Sequence, residues 1–314
     1  MCSGRLNSPL ETHESYFLAH IASEWIRENG TSDRPFFMRL DPWGPHDPHF
    51  VAEPFINTID PADIPEYPSF RNDLKNRPQK HQDLLAQRIE QGRSGDWSDW
   101  QPVLARAYEH ATQVDTAIGR VLDTLEELSL LDNTLIIYTA DHGGALGSNG
   151  GLLDKGCVLS DEMVRIPMAI RWPKQIKPNT SSTKFVSNLD LVPTVLQAAG
   201  AKLPDPLDGL SLVPLFQEPE IDQWRESFIV EHHGHYGQKH FQRQLRYGRY
   251  KYGAHLGDKH ELYDIENDPF ELNNRIDDPT ISHIRAELRQ RLHDQMKAHN
   301  DNAPDALALL EELI

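Results

Sequence analysis

Apolar side chains recur at helical spacing in the middle of the chain. They step by three and four residues, at Leu104, Ala107, Ala111, Val114, Ile118, Val121, Leu125 and Leu128. This spacing places them on one face of a helix, which we expect to end near Leu131. A second stripe, at Ile284, Leu288, Leu292 and Met296, predicts another helix near the carboxyl end.

Short apolar runs predict strands around the first helix. Residues 135–140 are apolar on both faces, which is typical of a strand in the middle of a parallel sheet. The helix before them completes half of a βαβ unit. Residues 35–40 and 168–172 predict two more strands, and residues 191–199 predict a short helix that Gly200 caps. The body of the chain is therefore predicted to be α/β.

The pattern changes outside this body. Residues 51–101 are rich in proline and charge, which predicts a long surface excursion with irregular structure and a short helix. Beyond residue 215, short strand-like pieces alternate with polar turns, at 228–230, 245–252 and 261–263. These pieces and the helix after them predict a small α+β domain. We expect one domain over residues 1–218 and a second over residues 219–314.

Composition excludes several classes of protein. The 314 residues include 31 Lys and Arg against 48 Asp and Glu, for a net charge of −17, which disfavours nucleic acids and anionic membranes as partners. No apolar stretch approaches the ~20 residues that span a bilayer. Residues 1–30 lack the apolar core of a secretory signal, so the chain as it stands is expected in the cytoplasm. The two cysteines, Cys2 and Cys157, are too few for a disulfide framework.

Metal-ligating and acid–base side chains follow two of the predicted strands. Asp141 and His142 come directly after one strand and precede two glycines, a plausible pair of cation ligands at a strand end. The same pair also fits an acid that caps a turn beside a surface histidine. His46 and His49 follow residues 35–40, and an imidazole there could protonate a leaving oxygen. If the two strands are parallel neighbours, His46 lies near Asp141.

A glycine-flanked loop, residues 149–156, carries a single lysine, Lys155. The glycines permit close approach of an oxyanion, and the ammonium group supplies a compact positive charge. A solvated surface lysine is the alternative interpretation.

Five ordered segments resemble the sulfatase family of the alkaline phosphatase superfamily, over about residues 16–274. They are residues 35–37 with 45–49, the helix with Tyr108, Asp115 and Gly119-Arg120, residues 133–173, residues 190–194 with 208–211, and residues 248–252 with 261–264 and 268–269. The resemblance implies a three-layer α/β sandwich with a mostly parallel central sheet, incomplete at the amino end. It also implies a small carboxyl-terminal α+β domain with an antiparallel sheet and a terminal helix.

The resemblance implies a role for each candidate residue. Asp141 and His142 match the pair that holds a divalent cation, calcium in this family. His46 matches the histidine that protonates the leaving group, and Lys155 matches the lysine that binds sulfate. His46, His49 and Lys155 are therefore expected to contact the substrate, a small-molecule or carbohydrate sulfate ester.

Two features of the family are missing from this sequence. Sulfatases use a formylglycine nucleophile made from Cys or Ser in a Cys-X-Pro-Ser-Arg motif, and an Asp-Asp ligand pair on the first strand. Residues 2–5 contain a cysteine but lack the proline, and Asn149 replaces a histidine often found before the lysine. We expect the chain to be the carboxyl-terminal part of a sulfatase, with the amino-terminal segment in the same gene product or in a separate partner chain.

Two alternatives stay open at this point. The chain could belong to a phosphodiesterase or phosphonate monoester hydrolase of the same superfamily, since phosphoryl transfer needs a similar cation and lysine. It could also be a catalytically inactive remnant, because no nucleophile is present. His232, His233 and His235 could line the cleft, or they could lie in a solvated loop.

Overall fold

The computed structural model describes residues 3–93, 95–234 and 239–314. Its contacts group the chain into two compact units that interleave along the sequence. Unit 1 comprises Met1–Tyr67, Gly92–Ile136 and Ile170–Lys174, and unit 2 comprises Pro68–Gln91, Ile137–Ala169 and Gln175–Ile314. The sequential division at residues 218 and 219 stays a prediction.

Helices and strands alternate through most of the described chain. The helices are α1 Glu14–Asn29, α2 Gln79–Glu90, α3 Trp97–Glu127, α4 Ser148–Gly151, α5 Asp161–Val164, α6 Leu191–Ala198, α7 Val213–Gln217, α8 Ser282–Ala298 and α9 Pro304–Glu312. The strands are β1 Ser3–Arg5, β2 His49–Val51, β3 Ile136–Thr139, β4 Met168–Arg171, β5 Ser227–His232, β6 Gln242–Tyr247, β7 Tyr250–His255 and β8 Glu261–Asp264. None of the described helices is both long and apolar enough to cross a bilayer.

The predicted long helix is confirmed as α3, which packs against α1 in unit 1. Tyr16 and Ile26 of α1 meet Val121 and Leu125 of α3 in a shared apolar core. The helix begins at Trp97, earlier than the apolar stripe indicated. Its first turn is closed by a capping box, in which the Asp99 carboxylate accepts a hydrogen bond of 2.8 Å from the Asp96 amide.

Residues 35–40 do not form the predicted strand. Their side chains alternate as predicted, because Phe36, Met38 and Leu40 pack onto the core of unit 1 while Phe37 is 73% exposed. Alternation shows that the chain is extended, but a strand also needs a hydrogen-bonded neighbour. None of the strands in the described residues pairs with this segment.

β3 and β4 occur where the apolar runs predicted them, and they pair with each other. The expectation that residues 135–140 are buried on both faces is wrong, because β3 is only partly buried and Tyr138 is 45% exposed. A run of apolar residues indicates a strand, whereas burial depends on how many neighbours cover it.

The carboxyl-terminal part of unit 2 contains the predicted antiparallel sheet, in the order β5-β6-β7-β8. Residues 245–252, predicted as one piece, instead form two strands and a tight turn, with Tyr247 paired to Tyr250 and Gly248 at a φ of +51°. α8 confirms the predicted helix and packs on β6 and β7, and α9 adds an unpredicted helix beside it. The buried core includes Leu245, Tyr252, Leu262, Leu288, Leu292 and Leu309.

A buried ion pair anchors the start of α6, the predicted short helix. Both oxygens of the fully buried Asp190 accept hydrogen bonds from Arg225, at 2.6 and 3.0 Å. The Leu210 amide donates to the same carboxylate at 2.8 Å, and the Leu212 amide donates to the Thr194 hydroxyl at 2.8 Å. Residues 190–194 and 208–211, which contributed to the family resemblance, therefore have a structural role here.

Replacement of Arg225 by methionine should lower the free energy of unfolding by about 3–5 kcal/mol, because it leaves the buried Asp190 carboxylate without its charge partner. Lys75→Met, which breaks the exposed Lys75–Asp73 pair, is the matched control and should leave stability unchanged. Urea denaturation of both variants measures the difference. Equal stability of the two variants would contradict the structural role of the buried pair.

Candidate active site

The turn after β3 holds the predicted cation ligands in mutual contact. One carboxylate oxygen of Asp141 accepts a hydrogen bond of 2.9 Å from the His142 amide, and the other lies 3.4 Å from His142 Nε2. The Asp141 side chain is 86% exposed, while the His142 side chain is about one-third exposed. The carboxylate is therefore open to solvent, where a cation can reach it.

Lys155 meets this pair directly. Its ammonium nitrogen lies 2.8 Å from His142 Nε2, and His142 Nδ1 lies 2.7 Å from the Gly143 carbonyl oxygen. A carbonyl only accepts hydrogen bonds, so Nδ1 carries the proton and Nε2 accepts from the ammonium group. The structure thus brings together Asp141, His142 and Lys155, three of the five predicted site residues, within unit 2.

Gly143 allows the turn to lie close to α5. Its amide donates to the Met163 carbonyl at 2.8 Å, and a Cβ atom at this position would lie 1.9 Å from the Glu162 carbonyl oxygen. No other residue fits without moving the backbone. The glycine after the predicted ligand pair is therefore a packing requirement of the site.

The loop after Lys155 is fixed by buried polar groups of unit 2. The Lys251 ammonium group donates to the Leu159 carbonyl at 3.0 Å and also contacts the Asp161 and Glu271 carboxylates. The Glu271 carboxylate in turn accepts a hydrogen bond of 2.7 Å from the Asp161 amide. These contacts join residues 159–161 to β7.

Asn149, which stands where the family often has a histidine, is fully buried. Its side-chain amide donates to the hydroxyls of Ser148 and Ser160, both at 3.0 Å. The residue therefore stabilises the glycine-flanked loop from inside.

His46 lies in unit 1, in the loop before β2. Its Nδ1 atom is 2.7 Å from the Asp47 carbonyl oxygen and 3.1 Å from the Asp47 carboxylate. Both oxygens accept, so Nδ1 carries a proton and Nε2 is the nitrogen left to exchange a proton with a substrate. The side chain is 30% exposed. Its predicted proximity to Asp141 stays a prediction.

His49, the fifth predicted residue, is only 2% exposed on β2 of unit 1. Its ring centre lies 5.9 Å from that of the buried His110, which lies 5.2 Å from that of His13. No ring nitrogen of His49 or His110 has a hydrogen-bond partner among the described residues. Burial lowers the pKa of His49 and lowers that of His110 to about 4, so both rings are neutral near pH 7.

The remaining candidates from the sequence divide into three groups. Cys2 and His235 lie outside the described residues. His232 is half-buried, with Nδ1 3.0 Å from the His240 carbonyl oxygen, and His233 is exposed. Cys157 is buried, and burial raises the pKa of its thiol to about 11, which makes it a poor nucleophile.

Sequence reasoning missed a buried group of histidines in unit 2. The rings of His81, His240 and His255 contact one another, and His81 and His255 also lie beside the Glu261 carboxylate. These residues come from α2, the segment before β6, and the hairpin formed by β7 and β8, so no short motif contains them. The only signal in the sequence is the large number of histidines, 16 in 314 residues.

Comparison with known families gives two matches. The sulfatase family model matches residues 6–201, which include all five predicted site residues. The model described as N-sulphoglucosamine sulphohydrolase, C-terminal, matches residues 148–298. Together the two matches extend over most of the chain, and the first alone spans more than half of it.

Individual relatives agree with these matches. The chain is 32% identical over 249 residues to an N-acetylglucosamine-6-O-sulfatase of Bacteroides thetaiotaomicron, a match that covers 74% of this chain and 44% of the relative. The chain is also 27% identical over 284 residues to an uncharacterized sulfatase of Escherichia coli, a match that covers 90% of this chain and 55% of the relative. The chain thus spans about half the length of the curated relatives it matches.

Two solved structures share the fold. One, described as a complex with its substrate D-glucosamine-2-N,6-O-disulfate, superposes with a TM-score of 0.82 at 24% identity, covering 93% of this chain and 71% of that chain. The phosphonate monoester hydrolase of Agrobacterium radiobacter superposes with a TM-score of 0.81 at 25% identity, covering 93% and 62%. These likenesses confirm the predicted α/β fold class.

His110 should make the free energy of unfolding depend on pH. Its pKa is about 4 when folded and about 6.5 when unfolded, so the unfolded chain binds more protons between these values. The contribution of the buried neutral His110 ring to the free energy of unfolding is complete above pH 6.5. This contribution is lost as the pH falls towards 4, by up to about 1.4 kcal/mol per pH unit.

Urea denaturation at several pH values measures this slope in the wild-type protein and in His110→Leu. The variant should show a shallower loss of stability between pH 6.5 and 4, because the titrating ring is gone. Identical slopes in the two proteins would show that His110 is not buried in its neutral form.

Proposed function

Because the chain belongs to the sulfatase family, we propose that it is part of a hydrolase that cleaves sulfate esters of carbohydrates. The observation that carries this proposal is the contact of Lys155 with His142 beside the exposed Asp141 carboxylate. A positive donor next to a pair of cation ligands is suited to an anionic ester. The names of the relatives, one of which is an N-acetylglucosamine-6-O-sulfatase, support a sulfated amino sugar as the substrate.

Lys155 would bind the sulfate group. Its side chain is one-quarter exposed, so the ammonium group is partly desolvated yet accessible, and its attraction for an anion is stronger than in bulk water. Negative charge on the sulfate oxygens shifts as the ester bond breaks, and a fixed donor stabilises that charge. Lys155 therefore contributes both to substrate binding and to transition-state stabilisation.

His46 would protonate the leaving oxygen. Asp47 holds its Nδ1 proton, so Nε2 is the atom that delivers a proton to the departing alkoxide. His49 stays a proposed substrate contact, and its burial limits that contact to an edge of the ring. None of the five residues is assigned as the nucleophile.

Asp141 and His142 would hold the divalent cation, calcium by analogy with the family. The exposed carboxylate fits a hard cation, but Ca²⁺ takes about 6–8 oxygen ligands, so these two side chains supply only part of the shell. The bound cation would neutralise charge on the sulfate group. The Nε2 lone pair of His142 now accepts from Lys155, so the cation and the ammonium group compete for it.

This competition predicts opposite effects of two substitutions on cation binding. Asp141→Asn should weaken Ca²⁺ binding about ten-fold or more, because it removes the ligand charge. Lys155→Met should strengthen Ca²⁺ binding about ten-fold, because it removes the positive charge of the ammonium group. The repulsion between two unit charges ~4 Å apart is worth ~1–4 kcal/mol near a surface. Isothermal titration calorimetry with Ca²⁺ and with Mn²⁺ measures both effects.

Asp73→Asn, at an exposed acid outside the site, is the control for these titrations and should bind Ca²⁺ as the wild type does. Unchanged affinity in Asp141→Asn would overturn the ligand assignment. Weaker binding in Lys155→Met would show that the ammonium group does not compete with the cation.

Turnover assays test the reaction itself. In the whole hydrolase of which this chain is proposed to be part, His46→Gln should slow hydrolysis of N-acetylglucosamine 6-O-sulfate by about 10²–10⁴-fold, the usual contribution of a general acid. It should slow hydrolysis of 4-nitrophenyl sulfate far less, because that leaving group departs without a proton. Lys155→Met should weaken binding of both esters, which calorimetry detects even without turnover.

A phosphonate monoester hydrolase is the second candidate, favoured by the fold match at 25% identity. Hydrolysis of a phenyl phosphonate monoester in preference to both sulfate esters would establish this alternative. Binding of the sulfated sugar with no turnover of any ester would indicate a non-catalytic role.

A further inference from the structure

A second set of metal-ligating side chains lies buried in unit 2, made of residues with no part in the proposed hydrolysis. His81 belongs to the first turn of α2, His255 ends β7 and Glu261 begins β8. The candidate ligand atoms of these three residues all lie within 4.8 Å of one another. Asp258 lies in the turn between β7 and β8, and its two carboxylate oxygens accept hydrogen bonds from the Gln79 and Lys80 amides. These bonds hold α2 against the β7–β8 hairpin.

The His81 ring presents an unused lone pair to this cluster. Nε2 lies 3.1 Å from the Cys157 carbonyl oxygen, which only accepts, so Nε2 carries the proton. Nδ1 has no hydrogen-bond partner among the described residues and lies 3.9 Å from a Glu261 carboxylate oxygen.

The Glu261 carboxylate lies at the same place. One carboxylate oxygen accepts from the Tyr263 hydroxyl at 2.6 Å, and the other lies 3.0 Å from His255 Nε2. The Glu261 carboxylate therefore lies close to a ring nitrogen of each of the two histidines.

We propose that His81 Nδ1, His255 Nε2 and the Glu261 carboxylate bind a structural divalent cation of the zinc class. Two imidazoles and a carboxylate form a donor set that zinc accepts, with water as the fourth ligand. His81 Nδ1 lies 3.9 Å from one Glu261 oxygen and His255 Nε2 lies 3.0 Å from the other, both close to the ~3.3 Å edge of a tetrahedron with zinc–nitrogen bonds of ~2.0–2.1 Å. A metal-bound histidine typically donates its other ring hydrogen to a carbonyl, as His81 does.

The surroundings of His255 fit this role. When Nε2 binds the cation, Nδ1 carries the proton and donates to His240 Nε2, which is 3.0 Å away. Gly253 lies directly opposite Glu261 in the pairing of β7 with β8, and a Cβ atom there would lie 3.2 Å from His255 Nε2. The absence of a side chain at Gly253 leaves the space that the ring nitrogen needs.

An overlapping set, His81 with Cys157 and His240, also has its candidate atoms within 4.8 Å. The carboxylate set fits better for two reasons. A thiol must lose its proton to bind a cation, and Cys157 is a buried free thiol. His81 Nδ1, the unpaired atom, also faces Glu261.

Zinc content tests the proposal. The protein is stripped with a chelator, titrated with Zn²⁺, freed of excess metal by gel filtration and measured by elemental analysis. We expect one tightly bound Zn²⁺ in the wild type and its loss in His81→Gln, which keeps a donor for the Cys157 carbonyl, and in Glu261→Gln. His293→Gln, at a buried histidine of α8, and Asp141→Asn are the controls and should retain this ion.

X-ray absorption on the zinc-loaded wild type tests the ligands without any substitution that could disturb folding. A shell of nitrogen and oxygen at ~2.0–2.1 Å is expected, and a sulfur atom at ~2.3 Å would overturn the assignment in favour of Cys157. Failure of the wild type to retain Zn²⁺, or loss of the ion in Asp141→Asn alone, would also overturn it. Neither result depends on whether the protein hydrolyses a sulfate ester.

Discussion

The buried contact of Lys251 with Glu271 is the interaction on which the geometry of unit 2 depends. Both side chains are almost fully removed from water, so neither charge is tolerable without the other. Burial raises the pKa of Glu271, and Lys251 opposes that shift. The same ammonium group binds the loop that follows Lys155. A structural ion pair thus contacts the segment that follows the lysine proposed to bind sulfate.

Burial divides the charged residues of this protein into two groups. Inside, Asp190 is paired with Arg225, and burial lowers the pKa of His110 to about 4. At the site, the Asp141 carboxylate is exposed. A buried charge depends on its partner, because loss of that partner leaves it desolvated and unpaired, whereas an exposed carboxylate keeps free ligand positions for a cation.

The periodicity of the sequence predicted those helices and strands for which the spacing of apolar side chains is sufficient evidence. The stripes of α3 and α8 and the apolar runs of β3 and β4 were sufficient, because each pattern corresponds to one repeat of the backbone. Residues 35–40 have the alternation of a strand but lack a hydrogen-bonded neighbour. The turn at Gly248 divided one predicted piece into two strands, since both arms share the same apolar character.

The sequence by itself determined the family, the α/β class and the identity of the five candidate residues, because these depend on local order along the chain. Only the tertiary structure decided which of them touch. The hydrogen bond between Lys155 and His142, and with it the proton on Nδ1, depends on the fold of a loop that Lys251 holds from another strand. The cluster of His81, His255 and Glu261 likewise exists only in three dimensions, since its members come from elements far apart in the chain.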